Sequence, residues 1–193
     1  MARPPRFDTD QLLDAAVHLA ATGGPTAVTM SAAAQAVGAP SGSIYHRFAG
    51  RPALLAEVWL RTVERFQLGY LATLDGEPDP RRAGRAASRH VVAWSRENPE
   101  EATLLLYGPA DFGRADWSAE HTARADAGNG RVFTALHHLT EALGAPDEQA
   151  RERITLALID LPLSLVRRHL RAGTPLPPHL EALAEECTMA LLT

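Results

Sequence analysis

An all-α chain of about nine helices is what this sequence predicts, with a short three-helix helix-turn-helix head at the N-terminus and a larger helical bundle after it. Three observations carry the prediction. Apolar residues recur at helical spacing along almost the whole length, Pro and Gly mark most of the gaps, and no alternating strand pattern competes. The 193 residues are 46% hydrophobic, enough to bury a good core in one or two compact units. The expected division sets a head over residues 1–50 against a second domain over 51–193, with the helix that opens at Arg51 connecting the two.

After an arm bearing Arg3 and Arg6, Asp8 begins the first helix with Gln11 three residues on, the spacing of a capping box. Leu12, Ala15, Ala16 and Leu19 form its apolar stripe, and Gly23-Gly24-Pro25 stops it. Thr29 or Ser31 caps a second short helix that runs through Val37. Gly38 can take the left-handed conformation that ends it, Pro40 fixes the entry of the next helix, and Ser41 offers an N-cap hydroxyl. This third helix is very short, and Ile44 and Phe48, four apart, share its inner face. Arg51-Pro52 opens a long fourth helix through Leu54, Leu55, Val58, Val63, Phe66 and Tyr70, until Asp75-Gly76 and two prolines break it. Further helices are expected near 78–97, 99–107, 118–143, 147–171 and 178–192. Residues 108–117 read as a loop that holds Phe112 and Trp117, and Pro162 should bend the helix it sits in.

Net charge is −4, so there is no global basic signal of the kind that announces nucleic acid. The local balance differs. Residues 1–65 carry six Arg against five acids, while the rest carries thirteen against eighteen. Lys is absent, which excludes a Lys Schiff base or a phosphate-loop lysine. Cys187 is alone, so an internal disulfide is excluded, and no apolar run reaches the length of a membrane span or resembles a signal peptide. The expected location is the cytoplasm.

With Ile44 and Phe48 turned inward, Ser41, Gly42, Ser43, Tyr45, His46 and Arg47 are left facing outward or sideways, where they can reach phosphates and base edges. Thr29 before the second helix, Gly38 in the turn, Tyr45 and Phe48 in the third helix, Arg51 at the head of the fourth and Leu54-Leu55 after it together resemble the DNA-binding head of the tetracycline-repressor (TetR) family. The resemblance is specific over roughly residues 8–62. It implies that the third helix enters the major groove of double-stranded operator DNA. Small Ser41, Gly42 and Ser43 would allow close approach, Tyr45 would reach a phosphate oxygen, and His46 and Arg47 would touch base or backbone. Thr29 and Ser31 would grip the flanking strand, and Arg51 stands where the family usually carries a phosphate-binding lysine. Ser31 and Ser41 replace the longer side chains of many relatives, which shifts the expected readout from bases toward DNA shape.

The same resemblance implies a C-terminal region that binds a small-molecule effector and pairs two subunits. Ile154, Leu158, Leu161 and Leu165 line one side of the eighth helix, and Leu180, Leu183, Ala184, Cys187 and Leu191 one side of the ninth. With Leu156, Ile159 and Met189 lying off those stripes, the last two helices could form a homodimer seam. Candidate pocket residues are Trp59, Phe66, Tyr70, His90, Trp94, Tyr107, Phe112, Trp117, His121, Phe133 and His137. Trp94, Tyr107, Phe112 and Trp117 are preferred because they flank the 108–117 loop, a place for a ligand to enter. The implied activity is a repressor whose dimer holds a near-palindromic operator and releases it when effector binding moves the fourth helix.

Catalysis has no visible handle. The chain lacks His-Glu-x-x-His, paired Glu-x-x-His, a phosphate loop, Gly-x-Ser-x-Gly and Gly-x-Gly-x-x-Gly, so no enzyme activity, cofactor or metal site is expected. His137 and His138 are adjacent and diverge by about 100° on a helix, which prevents easy sharing of one metal. The rival reading is a helical interaction or small-molecule-binding module that does not touch DNA.

Overall fold

Asp8 starts the first helix as its sequence predicts. In the computed structural model, which describes residues 8–40, 42–144 and 147–192, Asp8 Oδ1 accepts the Gln11 amide at 2.8 Å and Gln11 Oε1 accepts the Asp8 amide at 3.3 Å. Two of the orphan donors at that helix end are thereby satisfied. Every regular element among the described residues is helical. They are α1 (Thr9–Gly23), α2 (Met30–Ala36), a 3-10 turn (Ser43–His46), α3 (Arg51–Asp75), α4 (Pro80–Glu97), α5 (Pro99–Leu104), α6 (Ala119–Ala142), α7 (Glu148–Thr155), α8 (Leu161–Arg171) and α9 (Leu180–Leu191). No helix among these residues is long and apolar enough to cross a membrane.

The chain forms two compact units, and the first reaches past residue 50. Unit 1 holds residues up to Val63 together with Thr103–Ala125, and unit 2 holds Glu64–Ala102 with Asp126 onward. The reason is local. Leu54, Leu55 and Val58 of α3 pack into the same core as α1 and α2, so the first half of that helix belongs to the head.

Unit 1 buries Leu12, Ala16 and Ala20 of α1 against Ala33 and Ala34 of α2 and against Ile44 and Phe48. The fully buried alanines let the short helices approach closely. Segment 108–117 is an ordered part of this core. Its turns place Phe112, with no exposed surface, against Trp59 and Tyr107, and the Phe112 carbonyl accepts Trp117 Nε1 at 2.9 Å.

In unit 2 the small-residue face of α4 (Ala83, Ala87, Ser88) is buried, and Ser88 Oγ donates to the Ala184 carbonyl of α9 at 3.1 Å. Outside that contact, Arg85 holds Glu185 in a two-nitrogen fork at 2.8 and 2.6 Å, Arg89 reaches Glu181 at 3.0 Å, and Arg96 also pairs with Glu181. These guanidiniums are solvent-facing, so the ladder fixes register more than it adds stability.

Pro162 disturbs its helix by a specific route. The α7 helix passes through a π-helical turn (Leu156–Asp160) into α8. Because Pro162 has no N–H, the carbonyls one turn before it lose their donor. Tyr70 Oη donates to the Leu158 carbonyl at 3.2 Å and Thr188 Oγ1 to the Ala157 carbonyl at 3.1 Å. Burial also pushes the Tyr70 hydroxyl above the ordinary phenol range, so it stays a donor. Replacing Tyr70 with Phe is expected to cost about 1–2 kcal/mol. In a Pro162→Ala background, where residue 162 regains an N–H, the cost should shrink toward zero. A double-mutant cycle in urea checks this, and a Tyr70→Phe cost independent of residue 162 would contradict the account.

Candidate nucleic-acid interface

The interface begins at the end of α2. Gly38 lies at φ +68, its N–H bonds to the Gln35 carbonyl at 3.0 Å, and the Ala39 N–H bonds to the Ala34 carbonyl at 2.9 Å. This is a Schellman closure, and only glycine takes that backbone angle without strain. It turns the chain sharply into Ser43–His46, where Ile44 is fully buried and Phe48 nearly so. The expected inner face is therefore in place, carried by a single 3-10 turn rather than an α-helix.

Tyr45 is left 61% exposed, with His46 exposed beside it. Among the described residues, neither side chain has a hydrogen-bond partner. Gly42 has ordinary helical angles, and a Cβ built there would meet nothing within 4 Å. Among the described residues, its lack of a side chain answers no packing need. Ser43 Oγ donates to the Pro40 carbonyl at 2.7 Å, so its proton is spent and its lone pairs remain. Arg47 lies half-buried along the turn, with Nη1 donating to the Ser43 carbonyl at 3.3 Å. Ser41 lies outside the described residues, as do Arg3 and Arg6.

Thr29 is the N-cap of α2, settling the choice between it and Ser31. Its Oγ1 accepts the Ala32 amide at 3.1 Å and sits 3.3 Å from Ser31 Oγ. The exposed Ser31 hydroxyl thus stands at the helix start.

Arg51 makes two bonds within the fold. Its Nε donates to the Val28 carbonyl at 2.7 Å and its Nη2 to the Pro25 carbonyl at 3.0 Å. The guanidinium braces the start of α3 to the segment that leads into α2, instead of pointing all its donors at solvent. Sequence reading missed this because the partners lie more than twenty residues upstream.

The pocket candidates fall in both compact units. Trp59, Tyr107, Phe112, Trp117 and His121 belong to unit 1, whereas Phe66, Tyr70, His90, Trp94, Phe133 and His137 belong to unit 2. Phe112 and Tyr107 fill the core at the expected loop mouth. Trp117 and His121 border a unit 1 cavity of about 500 Å³ that Pro52, Ala53, Asp116 and Ser118 also line. In unit 2, Phe66 contacts Tyr70, His90 and Trp94 at ring distances of 5.7, 5.7 and 5.3 Å. Phe133 is 66% exposed and His137 also faces solvent, so neither lines that cluster. Glu57 and Ser118 were not candidates from sequence, yet both hold His121, with Nε2 3.1 Å from Glu57 Oε1 and Nδ1 2.9 Å from Ser118 Oγ.

His90 has a distinct electrostatic setting. Burial pushes its imidazole below the ordinary value, more than the Phe66 carbonyl and Glu97 raise it, and Nε2 is buried without a partner. The folded protein therefore holds it neutral. As pH falls through the unfolded value near 6.5, the unfolded chain takes up a proton that the folded one resists, so stability drops on the acid side. Unfolding free energies at pH 7.5 and 5.5 should fall less in His90→Gln than in wild type. An identical loss in both would show that His90 does not drive it.

Residues 12–58 match the family described as bacterial regulatory proteins, tetR family. No curated protein matches the chain. Among solved structures, the fatty acid degradation regulator FadR from Bacillus halodurans is 18% identical over 96% of this chain and 98% of that one, with a TM-score of 0.72. FadR from Bacillus subtilis, solved with stearoyl-CoA, is 15% identical over 96% and 98%, with a TM-score of 0.74. A bacterial regulatory protein in the tetR family from Rhodococcus RHA1 is 16% identical over 95% of each chain, with a TM-score of 0.76. At these identities the likeness is one of fold.

Proposed function

The chain belongs to the tetR family of bacterial regulatory proteins through residues 12–58, and from that premise we propose that it is a ligand-responsive repressor whose homodimer holds a near-palindromic operator. The observation that carries the reading is the exposed pair Tyr45 and His46 on a turn whose opposite face, Ile44 and Phe48, is buried in the head. Tyr45 carries a phenol hydroxyl that can meet a phosphate oxygen, and His46 ring nitrogens that can meet a base edge. Tyr45 and His46 contact phosphate and base edges, Gly42 allows the backbone to approach, and Thr29, Ser31, Ser43 and Arg47 fix the register on the flanking strand. Arg51 acts by bracing these elements.

The last two helices, with the π-helical turn that leads into α8, supply the dimer surface. Leu156 is 44% exposed there, and Ile159, Leu183 and Met189 are only half-buried, so the bundle leaves apolar area for a twin. The effector site belongs to unit 2, where His90 Nε2 and Gln67 Oε1 are buried without hydrogen-bond partners and a ligand could satisfy them. The stearoyl-CoA held by the Bacillus subtilis neighbour supports a small-molecule effector without fixing its class.

The test is binding to the DNA beside the protein's own gene. Alanine at both Tyr45 and His46 should lower affinity at least roughly tenfold, each contact contributing about 1–3 kcal/mol. Wild-type affinity should fall linearly in log–log form with salt. Unchanged affinity in the double variant would leave the module that does not read DNA as the better reading. A thermal-shift screen of small molecules then identifies effectors, and one that stabilises the protein yet leaves operator affinity unaltered argues against release.

A further inference from the structure

The outward face of α8 carries opposite charges at two points seven residues apart. Asp160, at the head of the helix, and Arg167 are both exposed, and among the described residues neither has a hydrogen-bond or ion-pair partner. The backbone at Asp160 already has α-helical angles, φ −69 and ψ −45. Seven residues rotate an α-helix through about 700°, so the two side chains leave one face, about 10 Å apart along the axis. Ser164, also exposed, lies between them on that face, with half-buried Leu163 at its edge.

We propose that two copies of this chain cross there, α8 antiparallel to α8, with Asp160 of each paired to the partner's Arg167. This register presupposes the homodimer proposed above and fixes where its two-fold axis falls. Under a two-fold, a residue that meets a second residue is met by it in return, so the face must complement itself. An axis through the midpoint of Leu163 and Ser164 achieves this. Asp160 and Arg167 each lie about 5 Å from that midpoint along the helix, so two identical ion pairs form, one on either side of the axis. The short Ser164 side chain lets the helices approach closely at the crossing. Leu156, 44% exposed one turn before Asp160, continues the seam with apolar surface.

Other arrangements set like charges together. Parallel α8 helices about a two-fold would place carboxylate against carboxylate and guanidinium against guanidinium, and so would an antiparallel axis through either residue. On α9, Glu181 and Glu185 are engaged by Arg85, Arg89 and Arg96 of α4. The exposed acid of α9 is Glu186, and the other exposed cations of α8 are Arg168 and Arg171. Arg168 leaves the helix about 100° from Arg167, off this face. Arg171 shares the face one turn past Arg167, and an axis moved by two residues would pair it with Asp160. That register brings the two Arg167 guanidiniums within one turn of each other across the axis, which the midpoint of Leu163 and Ser164 avoids.

Sedimentation of the full-length protein gives the dimer dissociation constant. Asp160→Arg and Arg167→Asp each set like charges opposite one another twice, and each should weaken the dimer at least about tenfold. An equal mixture of the two single variants should recover a dimer within about threefold of wild type, because one chain is then positive at both positions and the other negative at both. That recovery also shows that both variants fold. A wild-type chain that stays monomeric at hundreds of micromolar would overturn the homodimer, and this register with it. A wild-type dimer in which either single variant keeps its affinity, or in which the mixture stays as weak as the single variants, would overturn the register alone. So would an Arg171→Asp loss equal to that of Arg167→Asp, which places the axis two residues further along α8.

Discussion

Replacing Arg51 with Ala is expected to weaken operator binding about tenfold while leaving the slope of log affinity against log salt unchanged. The two outcomes have separate physical origins. A side chain that neutralises a phosphate releases a counterion, and its loss lowers the slope by about 0.9. A side chain that only holds the fold changes affinity and leaves the slope alone. Arg51 Nε and Nη2 are bound to the Val28 and Pro25 carbonyls, and charge-assisted bonds of this kind contribute about 1.5–3 kcal/mol. Without them the segment carrying Thr29 and Ser31 loses its tie to α3, and the grip on the flanking strand loosens. Unit 1 should also lose about 1.5–3 kcal/mol of stability, so the measurement is made well below its melting temperature. Arg51→Lys separates the cases further. An ammonium keeps the charge but cannot span both carbonyls as a fork, so it should behave like Ala for bracing and like Arg for phosphate contact. A slope that falls by about one in Arg51→Ala would restore the phosphate role expected from sequence.

What was legible beforehand follows the range of each interaction. The Asp8–Gln11 capping box, the Thr29 cap and the Gly38 turn were readable because each is decided within a few residues by side-chain chemistry or a backbone angle. The opposed faces of the Ser43–His46 turn were readable because Ile44 and Phe48 are one turn apart. Pro162 announced a disturbance in its helix. That Tyr70 and Thr188 would satisfy the freed carbonyls was not readable, since those donors come from α3 and α9. Helical periodicity names a buried face and is silent about which helix covers it. For that reason the pocket candidates came out as one set while the fold divides them between two cores. For residues 108–117 the loop was readable and its burial was not, for a related reason. Gly108-Pro109 and Gly113 do make turns, but turn residues carry no information on whether the Phe112 between them faces water.

Phe112→Ala tests that segment directly, and it is expected to destabilise unit 1 by about 3–5 kcal/mol. Phe112 has no exposed surface, lies 5.2 Å from the Trp59 ring and 6.3 Å from the Tyr107 ring, and is tied through its carbonyl to Trp117. Truncation removes the two ring contacts, keeps the carbonyl bond, and leaves a cavity that the helices around it can close only in part. Set against the roughly 5–15 kcal/mol by which domains are stable, the loss is large. It should also reach DNA binding, because Phe112 belongs to the same buried cluster as Ile44 and Phe48, which seat the reading turn. Hydrogen exchange locates the effect, with protection falling in α1, α2 and the first half of α3 while unit 2 amides keep theirs. Phe133→Ala is the control. That ring is 66% exposed, and its removal should change stability by no more than about 0.5 kcal/mol. If the two variants cost the same, residues 108–117 are not part of the core of the head, and the seating of Tyr45 and His46 must be explained without them.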